Sequence, residues 1–143
     1  MKKLFSTVLG LLIGVFLYSQ TSLEENLPEF SRAYLFASIT YIDYESDDEE
    51  TKVSHFEGAN AFTFNVDGNS VLYYPHSGPV ERFIYIGPTD ESEDNEGNTY
   101  QLIKTIETAS SKIVYFQLYD DTDLGLRLIY EESLLIVHFY NNF

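Results

Sequence analysis

Between Tyr100 and Tyr140 apolar and polar positions alternate in three successive runs separated by short polar breaks. Tyr100, Leu102 and Ile106 alternate with Gln101, Thr105 and Glu107; Val114, Phe116 and Leu118 with Tyr115 and Gln117; Leu124, Leu126 and Leu128 with Gly125 and Arg127. A period of two is that of half-buried β-strands. The last run, Leu134 to Tyr140, is apolar on both parities, which predicts a strand covered on both faces and lying at the centre of the fold.

The same reading extends towards the N-terminus. Ala33 to Tyr44, rich in Tyr, Phe, Ile and Thr, suits a long strand, and Lys52 to Phe56 reads as a short one ended by a turn at Gly58. Phe62, Phe64 and Val66 lead into Asp67-Gly68, the dipeptide of a type I′ hairpin, and Ser70 to Tyr74 is the returning strand. A turn at Pro75 to Pro79 precedes a strand over Val80 to Ile86, which Gly87-Pro88 ends. Acidic loops are expected at Asp43 to Glu50, Asp90 to Asn98 and Asp120 to Asp123. Eight strands, nine with Lys52 to Phe56, and no crossover helix predict an all-β fold: an antiparallel meander closed into a small barrel or stacked as a sandwich. If the nine strands form a simple meander, all three acidic loops fall at one end.

Met1 to Gln20 has another character. Lys2 and Lys3 precede an apolar run from Val8 to Tyr18, too short for the roughly 20 residues of a membrane-spanning helix, and Ser19 offers a small residue for cleavage. The segment reads as a signal peptide over residues 1–19, followed by an arm over 20–32, in which Ser22 to Glu25 has capping-box spacing before Pro28, and a single β domain over 33–143. The Lys-Lys start, the Leu/Ile/Phe core and the Tyr-Ser-Gln ending resemble the export signals of flavobacteria-type bacteria, and the aromatic-rich β pattern is similar to that of small secreted domains from them. The resemblance implies an exported protein, periplasmic or extracellular, with no membrane anchor after cleavage, and implies no function. A lipocalin would fit the strand number, but its Gly-x-Trp signature needs a tryptophan and the chain has none.

Without cysteine there are no disulfides, so stability must come from burying 12 tyrosines, 11 phenylalanines and the β-branched residues. The net charge of −15 becomes more negative once Lys2 and Lys3 leave. Such a surface repels phosphate, and the remaining basic residues are scattered, so nucleic acid is excluded as a partner.

Few motifs bear on chemistry. His55, His76 and His138 have no zinc-ligand spacing, and His138 reads as a hydrogen-bonded residue of an apolar strand. There is no cysteine nucleophile and no Gly-x-Ser-x-Gly elbow. Nearly all carboxylates fall in charged loops, where nothing raises a pKa towards that of a general acid. The expectation is a non-catalytic binding or interaction domain with an acidic surface that meets a basic protein. The alternative is a β-barrel for a small molecule or glycan, with Tyr73, Tyr74, Tyr85, Tyr115, Tyr119 and Tyr130 lining a groove or mouth. No cofactor is required. Calcium is the one ion the acidic loops suggest, through Asp47, Asp48, Asp90, Asp94, Glu96, Asp120, Asp121 and Asp123, although an EF-hand register beginning at Ser92 would put Ile103 at the position of its bidentate glutamate.

Overall fold

The computed structural model describes residues 27–41 and 52–141. The expected signal peptide, most of the arm and the Asp43 to Glu50 loop lie outside the described residues. Nine antiparallel strands make up the fold: β1 (Phe30–Tyr41), β2 (Lys52–Val66), β3 (Ser70–Tyr74), β4 (Glu81–Tyr85), β5 (Asp90–Glu93), β6 (Thr99–Glu107), β7 (Ile113–Tyr119), β8 (Leu126–Tyr130) and β9 (Leu135–Tyr140). Each strand pairs with the next in the chain except β4 with β5, β9 returns to β1, and β4 pairs with β6. These pairings close eight strands into an up-and-down barrel, which settles barrel against sandwich. β5 lies outside it, continuing the line of β4 along the same edge of β6.

Two boundaries differ from the periodicity reading. Lys52 to Val66 is one strand, without a turn at Gly58, because β1 is long enough to pair with it from Tyr41–Lys52 to Phe30–Phe64, one bulge between Tyr34 and Phe36 absorbing the irregularity. β1 itself starts at Phe30, whose ring stacks on Phe64 at 4.9 Å. The second acidic segment is only partly a loop. Asp90–Glu93 pairs with Leu102–Thr99, all four residues exposed, and gives the sheet a charged edge.

At the hairpin between β2 and β3 both Asp67 (φ 53°) and Gly68 (φ 76°) are left-handed, and Asn69 N–H donates to Val66 O at 3.1 Å. Alternation holds around the barrel except that β6 reverses the expected parity: Ile103 and Thr105, paired with the inward Phe116 and Val114, are buried, while Tyr100 and Leu102, paired with Tyr119 and Gln117, face outward. Phe62, Phe64, Val71, Phe83, Val114, Phe116, Leu126 and Leu128 point inward and are essentially inaccessible. Their rings meet edge to face, Phe62 with Phe139 at 4.9 Å and Phe83 with Phe116 at 5.0 Å. The interior of this eight-stranded barrel is therefore filled by side chains. Binding sites are left to its two mouths and its outer wall.

β9 is buried at Phe139 and Tyr140 and half-buried over Leu135 to His138. Val137 and Phe139 face the core, while His138 and Tyr140 face outward beneath the β7–β8 connection, where His138 Nε2 bonds Leu124 O at 2.8 Å. Burial holds the His138 imidazole below its usual pKa. The neutral ring then donates from Nε2.

Candidate functional site

The connections β1–β2, β3–β4, β6–β7 and β8–β9 share one end of the barrel, here the upper mouth. At this end β3 stops at Tyr74 while β1 and β2 run on together, which leaves the inner face of β2 open beside the Pro75–Ser77 turn. The result is a pocket of about 280 Å³. Ala37, Ile39, Val137 and Phe139 supply its apolar wall, and Asn60, Tyr73 and His76 its polar side.

Asn60 organises that polar side. Its Oδ1 accepts from Tyr73 OH (2.8 Å) and from His76 N–H (3.0 Å), and its Nδ2 donates to Gly58 O (3.0 Å). The Tyr73 ring is stacked flat on Phe62 at 4.5 Å, so its hydroxyl is aimed rather than free to swing. Gly58 gives room for the neighbouring imidazole: a β-carbon there would lie 2.4 Å from His76 Cγ. The glycine expected to turn the chain instead lets a ring lie against an extended strand.

A pair of carboxyls joins the same end. Glu81 opens β4, opposite Tyr73 of β3, and Glu107 closes β6, opposite Phe83. Both share the inward parity of their strands. The Glu81 carboxyl is pushed up to about 7 by burial, then by its hydrogen bond to Glu107 and by that group's charge. Ser110 Oγ donates to Glu107 Oε1. Tyr73 is raised to about 12 by burial and by Glu81, and Tyr130 is raised further by burial, Glu81 and Glu107. Glu81 and Glu107 lie on strands rather than in the charged loops to which nearly all the carboxylates were assigned. The pair can hold a proton near neutral pH, but two hydrogen-bonded carboxyls are closer than the roughly 5 Å or more that glycoside hydrolysis requires.

The six tyrosines do not form one surface. Tyr73 and Tyr130 reach the core at the upper mouth, and Tyr85 faces inward at the other end, where its hydroxyl bonds both Asn65 N–H and Asn65 Oδ1 at 3.0 Å. Tyr115 and Tyr119 face outward, with Lys104 Nζ 5.8 Å and the Arg127 guanidinium 5.7 Å from their ring centroids, so cations already occupy the faces a sugar would stack on. Tyr74 is exposed on the outer wall. The lower mouth has the larger pocket, about 570 Å³, but its walls are largely turn residues such as Gly68, Asn69, Gly87 and Pro88.

The acidic candidates are dispersed too. Asp90 sits on β5, and Asp94 and Glu96 on the turn after it. Asp120 Oδ2 accepts from Thr99 Oγ1 at 2.5 Å, and Asp121 Oδ1 accepts from Asp123 N–H at 2.9 Å. Asp47 and Asp48 lie outside the described residues. Among the described residues no three His, Asp or Glu side chains converge as a metal set. His76 belongs to the upper mouth, while His55, bonded through Nδ1 to Tyr140 OH at 3.0 Å, and His138 share the outer wall.

Sequence reasoning missed Asn60, Glu81 and Glu107. Glu81 carried a usable signal, the parity of Phe83 and Tyr85, whereas Glu107 did not, because Tyr100, Leu102 and Ile106 put it on the polar side of a strand whose buried residues are Ile103 and Thr105. Asn60 had none, because its role depends on where β3 ends. Comparison with protein-family models, with curated proteins and with solved structures found no match.

Proposed function

We propose that this protein is an exported, non-catalytic binding domain that holds a small, flat, mainly apolar molecule with one hydrogen-bonding end in the upper mouth. The observation that carries this reading is the mouth pocket, where an apolar wall from β1 and β9 faces a fixed polar group made of Asn60, Tyr73 and His76. Small-molecule sites have this composition, mostly apolar with few placed polar groups. At about 280 Å³ the pocket suits a molecule of fragment size.

Titration of the labelled protein with single-ring aromatic fragments, followed by NMR, tests it. Binding should shift the methyl signals of Ala37 and Val137 and the Asn60 side-chain amide together, and Ala37→Phe, which fills the pocket, should abolish the shifts. If fragments leave these signals in place while a basic protein binds in a salt-sensitive way, the acidic surface is the functional one. Export rests on Lys2, Lys3 and the apolar run to Tyr18. Mass spectrometry of the mature product should find Gln20 at or near its start, and the intact Met1 chain in a membrane fraction would refute cleavage.

A further inference from the structure

Arg127 is a cation in the barrel wall that no carboxylate of the described residues pairs with. It faces outward from β8, in register with Gln117 of β7 and His138 of β9, and is half-buried against the Tyr119 ring. The chain has 23 acids and a net charge of −15. Arg82, by contrast, pairs with Asp67 at 3.3 Å.

Its donors line a pocket of about 320 Å³ together with Gln117, Tyr119 and the turn residues Asp94, Glu96 and Asn98. The turn is tightly built. Asp94 Oδ1 accepts from the N–H groups of Glu96 and Asn98, both at 2.9 Å, and Oδ2 accepts from Asn98 Nδ2 (3.2 Å) and Tyr119 OH (3.3 Å). Gln117 Nε2 in turn donates to Tyr119 OH at 3.4 Å. Asp94 is thereby saturated and fixed in place as an anion, and the Tyr119 ring beneath Arg127 is fixed with it. The charged groups left to a guest are the planar fork of Arg127 and the carboxylate of Glu96, with the Asn95 amide and Gln117 Oε1 as neutral partners beside them.

We propose that this pocket binds a small zwitterion of the amino-acid type, its carboxylate on Arg127 and its ammonium on Glu96. A simple anion would meet Arg127 but be repelled by the two acids and by the net charge of the molecule, and a simple cation would be repelled by Arg127. A neutral guest would desolvate both charges without pairing either. One molecule carrying both signs satisfies each group at no net charge, and a guanidinium fork suits a carboxylate bidentately. The site lies on the outer wall and does not depend on the reading of the upper mouth.

The test uses the full chain, labelled with ¹⁵N, and titrates glycine, β-alanine and γ-aminobutyrate, with acetate and methylammonium separately as half-probes at the same ionic strength. The zwitterions should move the Arg127 Nε–H and Gln117 side-chain amide signals at concentrations where neither half-probe does. Arg127→Gln should weaken binding about tenfold or more, since a hydrogen-bonded charge is lost, and Glu96→Gln should weaken it by a smaller factor. Arg127→Lys should retain part of the affinity, and unchanged thermal midpoints in all three variants would show that the barrel is intact. Acetate binding as tightly as the zwitterions would overturn the proposal, as would zwitterion binding that survives Arg127→Gln or Arg127 signals that do not move.

Discussion

Asn60 holds the upper mouth together through one amide. It is 7% exposed, and its Oδ1 serves both Tyr73 OH and the His76 backbone. Replacing it by leucine removes the acceptor of both donors, so Asn60→Leu should cost about 1–3 kcal/mol, read as a lower urea midpoint at unchanged slope. Gly68 tests another kind of residue. With φ at 76° in the Val66–Asn69 turn, a β-branched side chain is strained there, and Gly68→Val should destabilise by ~1 kcal/mol or more. That glycine was legible because Asp-Gly between alternating runs has one good solution. Gly58 was not: its glycine answers to the His76 ring from a distant turn, and a reader of the chain alone sees only a break.

At the scale of elements, strands were legible where inside and outside alternate, although in β6 the faces were read the wrong way round, Ile103 and Thr105 rather than Leu102 and Ile106 being inward, and other segments were misread where alternation is not the governing constraint. β5 has no buried face at all, so nothing in Asp90–Glu93 marks it as a strand except the edge of β6 beside it. The long β2 is held by the equally long β1, a partnership that no local pattern shows. Closure by β4 and β6 was equally hidden. This seam has only three register pairs, Phe83–Glu107, Ile84–Ile106 and Tyr85–Thr105, extended by Ile86 N–H to Lys104 O and Thr108 N–H to Arg82 O, both 3.0 Å. The Glu81–Glu107 pair bridges its upper end, which makes closure of the barrel sensitive to pH. Folding raises the Glu81 pKa from 4.5 to about 7, so the folded chain binds more protons across that interval. The contribution is complete below about pH 4.5 and is lost as pH rises through 7. His138 acts in the other direction: its folded pKa lies below 6.5, so its contribution is present above 6.5 and is lost as pH falls below it. Thermal melts between pH 4.5 and 8 should therefore show a fall in midpoint towards high pH that is smaller in Glu81→Gln, and the difference between the two curves isolates the pair from His138. Parallel curves would mean that the carboxyls share no proton.

The distribution of charge belongs to the whole molecule, and here the sequence reading depended on a strand count. Because β2 is one strand, Tyr41 and Lys52, between which residues 42–51 run, belong to the upper end. Asp67, the acids of β5, Asp94, Glu96 and Asp120 to Asp123 belong to the lower end. Two of the three acidic runs thus share a pole, and the third, Asp43 to Glu50, lies outside the described residues. Repulsion at that pole should be relieved by salt over a screening length of about 10 Å at 0.1 M, and the question is whether one ion does more than another. Several of its carboxylate oxygens already serve the turns: both of Asp94, Oδ2 of Asp120 and Oδ1 of Asp121. Calcium needs six to eight oxygens brought together, and oxygens committed to backbone N–H groups and hydroxyls would have to leave them first. Calcium and magnesium at equal ionic strength should therefore raise the thermal midpoint equally, and Glu91→Gln with Glu93→Gln, which removes two charges from the edge strand without touching a turn, should raise it in low salt by an amount that vanishes in high salt. A larger shift with calcium, abolished by Asp121→Asn, would instead show that the ion displaces these turn bonds and that the lower pole is a cation site.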